Sequence, residues 1–178
     1  MKKLHMFIAT SIDGYIAGDN DDVSWLSMVE QKGEDYGYSE FVSGIDTIVI
    51  GRKTYDKVKS MPGEFFYKGR TIYVISRTKT GFDGTVYFVN SVKELMDELD
   101  KKATNVFCDG GSEIIHELLQ IRKFDGITIS IIPILLGKGV RLFEGENPRT
   151  LMQLLHTRTY PSGLVQLRYE PLESEDAK

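Results

Sequence analysis

The chain has 178 residues, with 22 Lys and Arg against 26 Asp and Glu and a formal net charge of −4. That length suits one domain with a real core, and the acidic balance argues against a nucleic-acid or anionic-membrane surface. One cysteine (Cys108) and three scattered histidines (His5, His116, His156) build neither an internal disulfide nor a zinc site, so no metal and a reducing, cytoplasmic setting are expected.

Leu4–Ile12 reads as a first strand, ended by the turn dipeptide Asp13-Gly14, which also interrupts any signal-peptide run. Tyr15–Ala17 is a short extended piece and Gly18–Ser24 a polar loop. From Trp25 to Ser43 the pattern is a helix broken by glycines. Thr47–Ile50 is an apolar strand that runs into Gly51 and a helix from Arg52 to about Lys59. Met61–Gly69 is an aromatic-rich loop, and Thr71–Ser76 and Thr85–Val89 are further strands. Ser91 and Glu94 form a capping box for a helix whose buried face is Val92, Leu95, Met96 and Leu99.

Asn105–Asp109 is another strand running into glycine. Gly110-Gly111-Ser112 follows, then a helix from Glu113 to Gln120 that buries Ile114, Ile115, Leu118 and Leu119. Gly126–Leu136 reads as a long strand buried on both faces, and Gly137–Gly145 as a loop. Leu151–Tyr160 and Leu164–Tyr169 are expected to close the fold as an antiparallel hairpin about Pro161-Ser162-Gly163. No segment approaches the roughly 20 apolar residues of a membrane span. The expected organisation is one α/β domain over 1–172 with a charged tail at 173–178.

Two strand–glycine–helix junctions carry the chemistry. Each points free backbone N–H groups outward at the positive end of a helix, where glycine permits close approach of an anion. Two in one domain suggest a ligand with a pyrophosphate, hence a dinucleotide. Neither G-x-x-x-x-G-K-[ST] nor a strand-following G-x-G-x-x-G occurs, so the site is neither a P-loop nor an ordinary Rossmann fingerprint. Arg52 and Lys53 lie in a first helical turn, where cations oppose the dipole unless an anion binds. Arg77 follows the adjacent strand, and Arg52 with Arg77 suits the 2′-phosphate that separates NADP from NAD.

These residues resemble the dihydrofolate reductase superfamily, and within it the reductase domain of riboflavin biosynthesis and its stand-alone relatives. The matching stretches are Ile8–Ala17, Val49–Tyr55, Gly69–Arg77, Asp109–Ser112 and Ile132–Phe143. The resemblance implies a three-layer α/β/α fold with a mixed, mostly parallel sheet of about eight strands, and NADPH as hydride donor. It assigns Gly51, Arg52, Lys53 and Thr54 to one phosphate loop and Ser76 and Arg77 to the adenosine side. Asp109, Gly110, Gly111, Ser112 and Glu113 match the second pyrophosphate loop, whose Gly-Gly bond is often cis in the family. Ala9 and Ile16 match positions lining the nicotinamide.

The run P-x-L-L-G-x-G-x-x-L-F from Pro133 points to the riboflavin-type branch; the fused zinc deaminase common there has no counterpart motif here. The substrate is expected between Ile16, Trp25 and the first helix on one side and the Met61–Tyr67 loop on the other. Arg70 matches a folate-carboxylate position, and Lys138 or Arg141 could hold a substrate phosphate. Glu30 and Asp13 are the candidate proton donors. A ribosylamino-pyrimidine, a folate or pterin, and another small heterocycle stand as alternative substrates. A non-catalytic NADPH-binding module is the reading from another class. The riboflavin-type relatives commonly pair, so a homodimer is expected, with the C-terminal hairpin as a strand surface.

Overall fold

The computed structural model describes residues 3–60, 67, 69–102 and 104–172. Most of the Met61–Gly69 loop and the charged tail therefore lie outside the described residues. The strands are β1 (Lys3–Ser11), β2 (Tyr15–Ala17), β3 (Thr47–Gly51), β4 (Thr71–Ile75), β5 (Gly81–Phe82), β6 (Tyr87–Val89), β7 (Asn105–Cys108), β8 (Gly126–Ile132), β9 (Val140–Arg141), β10 (Met152–Thr159) and β11 (Val165–Pro171). The helices are α1 (Tyr38–Ser43), α2 (Arg52–Ser60), α3 (Val92–Asp100) and α4 (Ser112–Ile121).

Nine strands form one sheet in the order β10-β11-β8-β1-β7-β3-β4-β6-β5, and β2 pairs separately with β9. The sheet is parallel from β8 to β6 and antiparallel at both ends. The ninth strand beyond the expected eight is the two-residue β5, too short to carry a hydrophobic period. The long run from Gly126 ends as a strand at Ile132, before Pro133, which has no N–H to continue the ladder. The broken helix resolves into a 3₁₀ segment, Ser24–Val29, and the short α1.

Alternation along the strands divides the core. Leu4, Met6, Val49, Val106, Cys108 and Ile127 pack against α3 and α4 on one face. Ile48, Ile50, Ile72, Val74 and Phe107 pack against Tyr55 of α2 on the other, with Tyr38 and Phe41 of α1. Helix α3 starts as the capping box predicts, the Ser91 hydroxyl accepting from the Glu94 N–H at 3.1 Å. A third cluster joins Trp25, Val29, Ile132 and Leu164, with Ala9 and Tyr36 against it. Among the described residues no helix is long and apolar enough to cross a membrane.

Candidate active site

All six parallel strands end at the same edge, and β7 lies between β1 and β3. The helix after β3 leaves toward one face and the helix after β7 toward the other. An open α/β sheet binds ligands in the crevice that such a divergence creates. Here the two glycine turns touch. The Gly51 N–H donates to the Gly110 carbonyl at 2.6 Å, and the Asp109 N–H to the Val49 carbonyl at 3.0 Å. A Cβ on Gly51 would lie 3.1 Å from Ile114 Cγ1, and one on Gly111 would lie 3.2 Å from Thr54 Oγ1. The Gly110–Gly111 peptide is cis.

The N-termini of α2 and α4 thus converge on one crevice from opposite faces. No side chain caps α4, so its first N–H groups are left for a ligand. Gly51, Arg52, Lys53, Thr54, Gly110, Gly111 and Ser112 all sit at these two turns. This donor set, backbone N–H groups with hydroxyls and cations, fits a dinucleotide pyrophosphate.

Cations gather about the Phe88 ring. Arg52 Nε bonds Asp56 Oδ2 at 2.7 Å, and its guanidinium lies 5.6 Å from the Phe88 ring centroid. Lys79 Nζ, which sequence reasoning missed, sits 5.4 Å from the same centroid. The buried Ser76 hydroxyl accepts from the Thr78 and Lys79 N–H groups and so shapes the loop that carries both Arg77 and Lys79. Arg77 reaches across to Glu113, Nη2 to Oε2 at 3.0 Å, which links the loop after β4 to the first turn of α4.

Ala9 and Ile16 are half-buried but pack into different apolar clusters, Ala9 with Trp25 and Ile16 on the α3/α4 face. Trp25 is only 5% exposed and donates from Nε1 to the Asp22 carbonyl, so it is a wall of the third cluster with little surface for a substrate. Asp13 is a clasp. Its carboxylate accepts from Ser11 Oγ at 2.6 Å, Leu136 N at 3.1 Å and Gly137 N at 2.7 Å. The Ser11 hydroxyl and these two N–H groups lower its pKa to about 2, which leaves no proton to give. Glu30 is exposed at the end of the 3₁₀ segment.

Three expected substrate cations are engaged within the protein. Arg70 donates to the Val42 carbonyl from Nη2 at 2.6 Å and Nε at 3.2 Å. Lys138 pairs with Asp19 at 2.5 Å, and Arg141 lies 4.6 Å from the Tyr15 ring centroid. The exposed Lys138–Asp19 pair is weak enough to exchange for a ligand.

Asp109 is different. It follows β7 directly, just before the cis peptide, and its carboxyl accepts a hydrogen bond from the Tyr67 hydroxyl. Burial raises its pKa to about 7, against a smaller opposing effect of the Tyr67 hydrogen bond. Tyr67 and Tyr38 are both shifted upward, mainly by burial and then by the Asp109 charge. Cys108, also buried, is pushed up to about 12 and is inert.

Known proteins share this architecture. The RibD C-terminal domain family model matches residues 2–166. The Bacillus subtilis (strain 168) protein YwjB is 33% identical over 171 residues, 94% of this chain and 97% of that one. A crystal structure described as a riboflavin biosynthesis protein of Shewanella sp. PV-4 superposes with a TM-score of 0.86 at 29% identity, covering 96% of this chain and 99% of the other. The Thermotoga maritima diaminohydroxyphosphoribosylaminopyrimidine deaminase/5-amino-6-(5-phosphoribosylamino)uracil reductase gives a TM-score of 0.70 at 15% identity, over 96% of this chain and 57% of the larger one.

Proposed function

The chain belongs to the RibD C-terminal domain family, and from that premise we propose that it is an NADPH-dependent reductase of a small nitrogen heterocycle in the cytoplasm. The observation that carries the proposal is the contact between Gly51 and Gly110, which makes one anion crevice of two helix N-termini. When bound there, NADPH supplies the hydride; the chain binds, orients and shields. Gly51–Thr54 and Gly110–Ser112 hold the pyrophosphate. Arg52, Arg77 and Lys79 hold the 2′-phosphate, with Arg77 exchanging Glu113 for it. Ala9 and Ile16 orient the nicotinamide.

A ribosylamino-pyrimidine of the 5-amino-6-(5-phosphoribosylamino)uracil type is the favoured substrate. The exposed Lys138 and Arg141 are available to its phosphate. Arg70, which would have to hold a folate tail, is turned onto the Val42 carbonyl. The test is calorimetric binding of NADPH and NADH, with NADPH absorbance followed against this pyrimidine and dihydrofolate. Tight NADPH binding with pyrimidine-dependent oxidation is expected. Binding without turnover would instead make the chain a nucleotide-binding module.

The protein also acts as a homodimer in this reading. Among the described residues strand β10 is an edge of the sheet, and Leu151, Leu154 and Leu155 are 45–48% exposed beside or on it. Leu154→Glu with Leu155→Lys is expected to halve the mass measured by light scattering. A wild-type chain that already runs as a monomer removes the dimer.

A further inference from the structure

The three cations assigned above to the 2′-phosphate stand apart. Arg52 and Lys79 lie 5.6 and 5.4 Å from the Phe88 ring centroid, and Phe88 belongs to the face that α2 covers. Arg77 is two residues before Lys79 on the same loop, yet its guanidinium is drawn off to Glu113 in the first turn of α4. Helix α4 packs on the opposite face of the sheet. We propose that Glu113 is an internal competitor for the 2′-phosphate: it holds Arg77 away from Arg52 and Lys79 and must release it when NADPH binds, so it sets how tightly that nucleotide is held. The assignment rests on the reductase reading above.

Topology makes the competition possible. Strand β3 lies between β7 and β4. Glu113 follows the glycine turn after β7, and Arg77 follows β4, so the two flank the tip of β3. Neighbouring strands stand about 4.8 Å apart, which leaves roughly 10 Å between these flanking backbones. An arginine and a glutamate side chain together close that gap. The ion pair thus spans the end of β3, where Gly51 begins the first anion turn. The backbone under Arg77 need not move for the exchange. The Ser76 hydroxyl fixes it through the Thr78 and Lys79 N–H groups, so the exchange is a swing of one side chain that is 86% exposed.

Arg52 is also paired, with Asp56 at 2.7 Å, but that partner is one turn along α2 and leaves Arg52 over Phe88. Glu113 alone among these carboxylates pulls a cation to the other face.

Two effects oppose each other in Glu113. Holding Arg77 at the rim spares some side-chain entropy on binding, whereas the bond to Arg77 must be broken. Both partners are largely in water, so the preorganisation is slight. A phosphate carries more charge than a carboxylate and outbids it for the guanidinium, at an affinity reduced by what Glu113 gives up. The dipole of α4 is a second reason for an acid in its first turn. That effect acts without Arg77 and does not distinguish one dinucleotide from another.

The experiment measures NADPH and NADH affinity by calorimetry for wild type, Glu113→Gln, Arg77→Ala and the double variant. Glu113→Gln is isosteric at an exposed position, so the fold is kept. NADPH affinity is expected to rise about three- to fivefold in Glu113→Gln, with NADH changing by less than about twofold. In the Arg77→Ala background the same substitution should favour NADPH no more than NADH, because no guanidinium is left to release. Salt near 1 M should shrink the gain. An NADPH gain below about twofold overturns the proposal. So does an equal gain for both nucleotides, or one that persists without Arg77, since either makes Glu113 a helix-end charge alone. A wild type that binds neither nucleotide overturns the reductase reading instead, by a separate measurement.

Discussion

The Gly51 N–H meets the Gly110 carbonyl at 2.6 Å, although 59 residues separate them. One hydrogen bond thus ties the tips of β3 and β7 and sets the width of the crevice between two helix N-termini. Space is short on both sides: a Cβ on Gly51 would also lie 3.4 Å from Gly111 N and 3.5 Å from Gly110 O.

Gly51→Ala therefore pushes the turns apart or displaces Ile114. Overpacking of this size costs about 1 kcal/mol or more, a fall in Tm of roughly 2–4 °C for a chain of this length. NADPH affinity is expected to fall about tenfold with it. Calorimetry of both quantities checks this, and an alanine variant with wild-type affinity would show that the crevice width is not set here.

Arg52→Ala with Arg77→Ala removes two cations from the adenosine end. Charge-assisted hydrogen bonds are worth about 1.5–3 kcal/mol each, so NADPH affinity should drop roughly a hundredfold while NADH changes by less than about threefold. Titration of nucleotide fluorescence reads both. Equal losses for the two nucleotides would move the 2′-phosphate away from these residues, and retention of NADPH preference would shift the role to Lys79.

Asp13 makes stability pH-dependent in a defined window. Its folded pKa, about 2, lies below the ordinary 3.8. Its contribution is thus complete above the ordinary value and is lost as pH falls from about 4 to about 2. Asp13→Asn should be less stable than wild type at neutral pH and show a flatter Tm profile across that acid range. Parallel profiles for the two proteins would mean that the Leu136 and Gly137 N–H groups do not depend on the carboxylate.

Asp109 acts with the opposite sign. Its folded pKa, about 7, is raised above 3.8. The stability of the protonated form is therefore fully present below about pH 4 and is lost as pH rises to about 7. Asp109→Asn should melt higher than wild type near pH 8 and match it near pH 4. A scanning calorimeter decides the matter. A variant less stable than wild type at both values would mean that the carboxylate is not strained by its surroundings.

Much of this molecule was legible in one dimension. Apolar runs of strand length, the Ser91 capping box and the two strand–glycine–helix junctions depend on residues within a few positions of one another, so local pattern was enough to find them. Arg52 and Ser112 could be placed at the starts of helices for the same reason. The short β5 escaped because two residues carry no period, and the strand from Gly126 ran long in the reading because Ile134, Leu135 and Leu136 continue the apolar run past Pro133.

What only the tertiary structure decided is which distant groups share a solvent environment. Pairing between parallel strands has no local signal, so nothing near Gly110 in sequence says that β7 inserts beside β3. The Asp13 carboxylate finds its N–H partners more than a hundred residues downstream, and Asp109 meets a hydroxyl 42 residues upstream. Both are aspartates beside a glycine in the sequence. Hydrogen-bond donors lower the pKa of one and burial raises that of the other, because a carboxyl's proton affinity belongs to its surroundings rather than to its residue type.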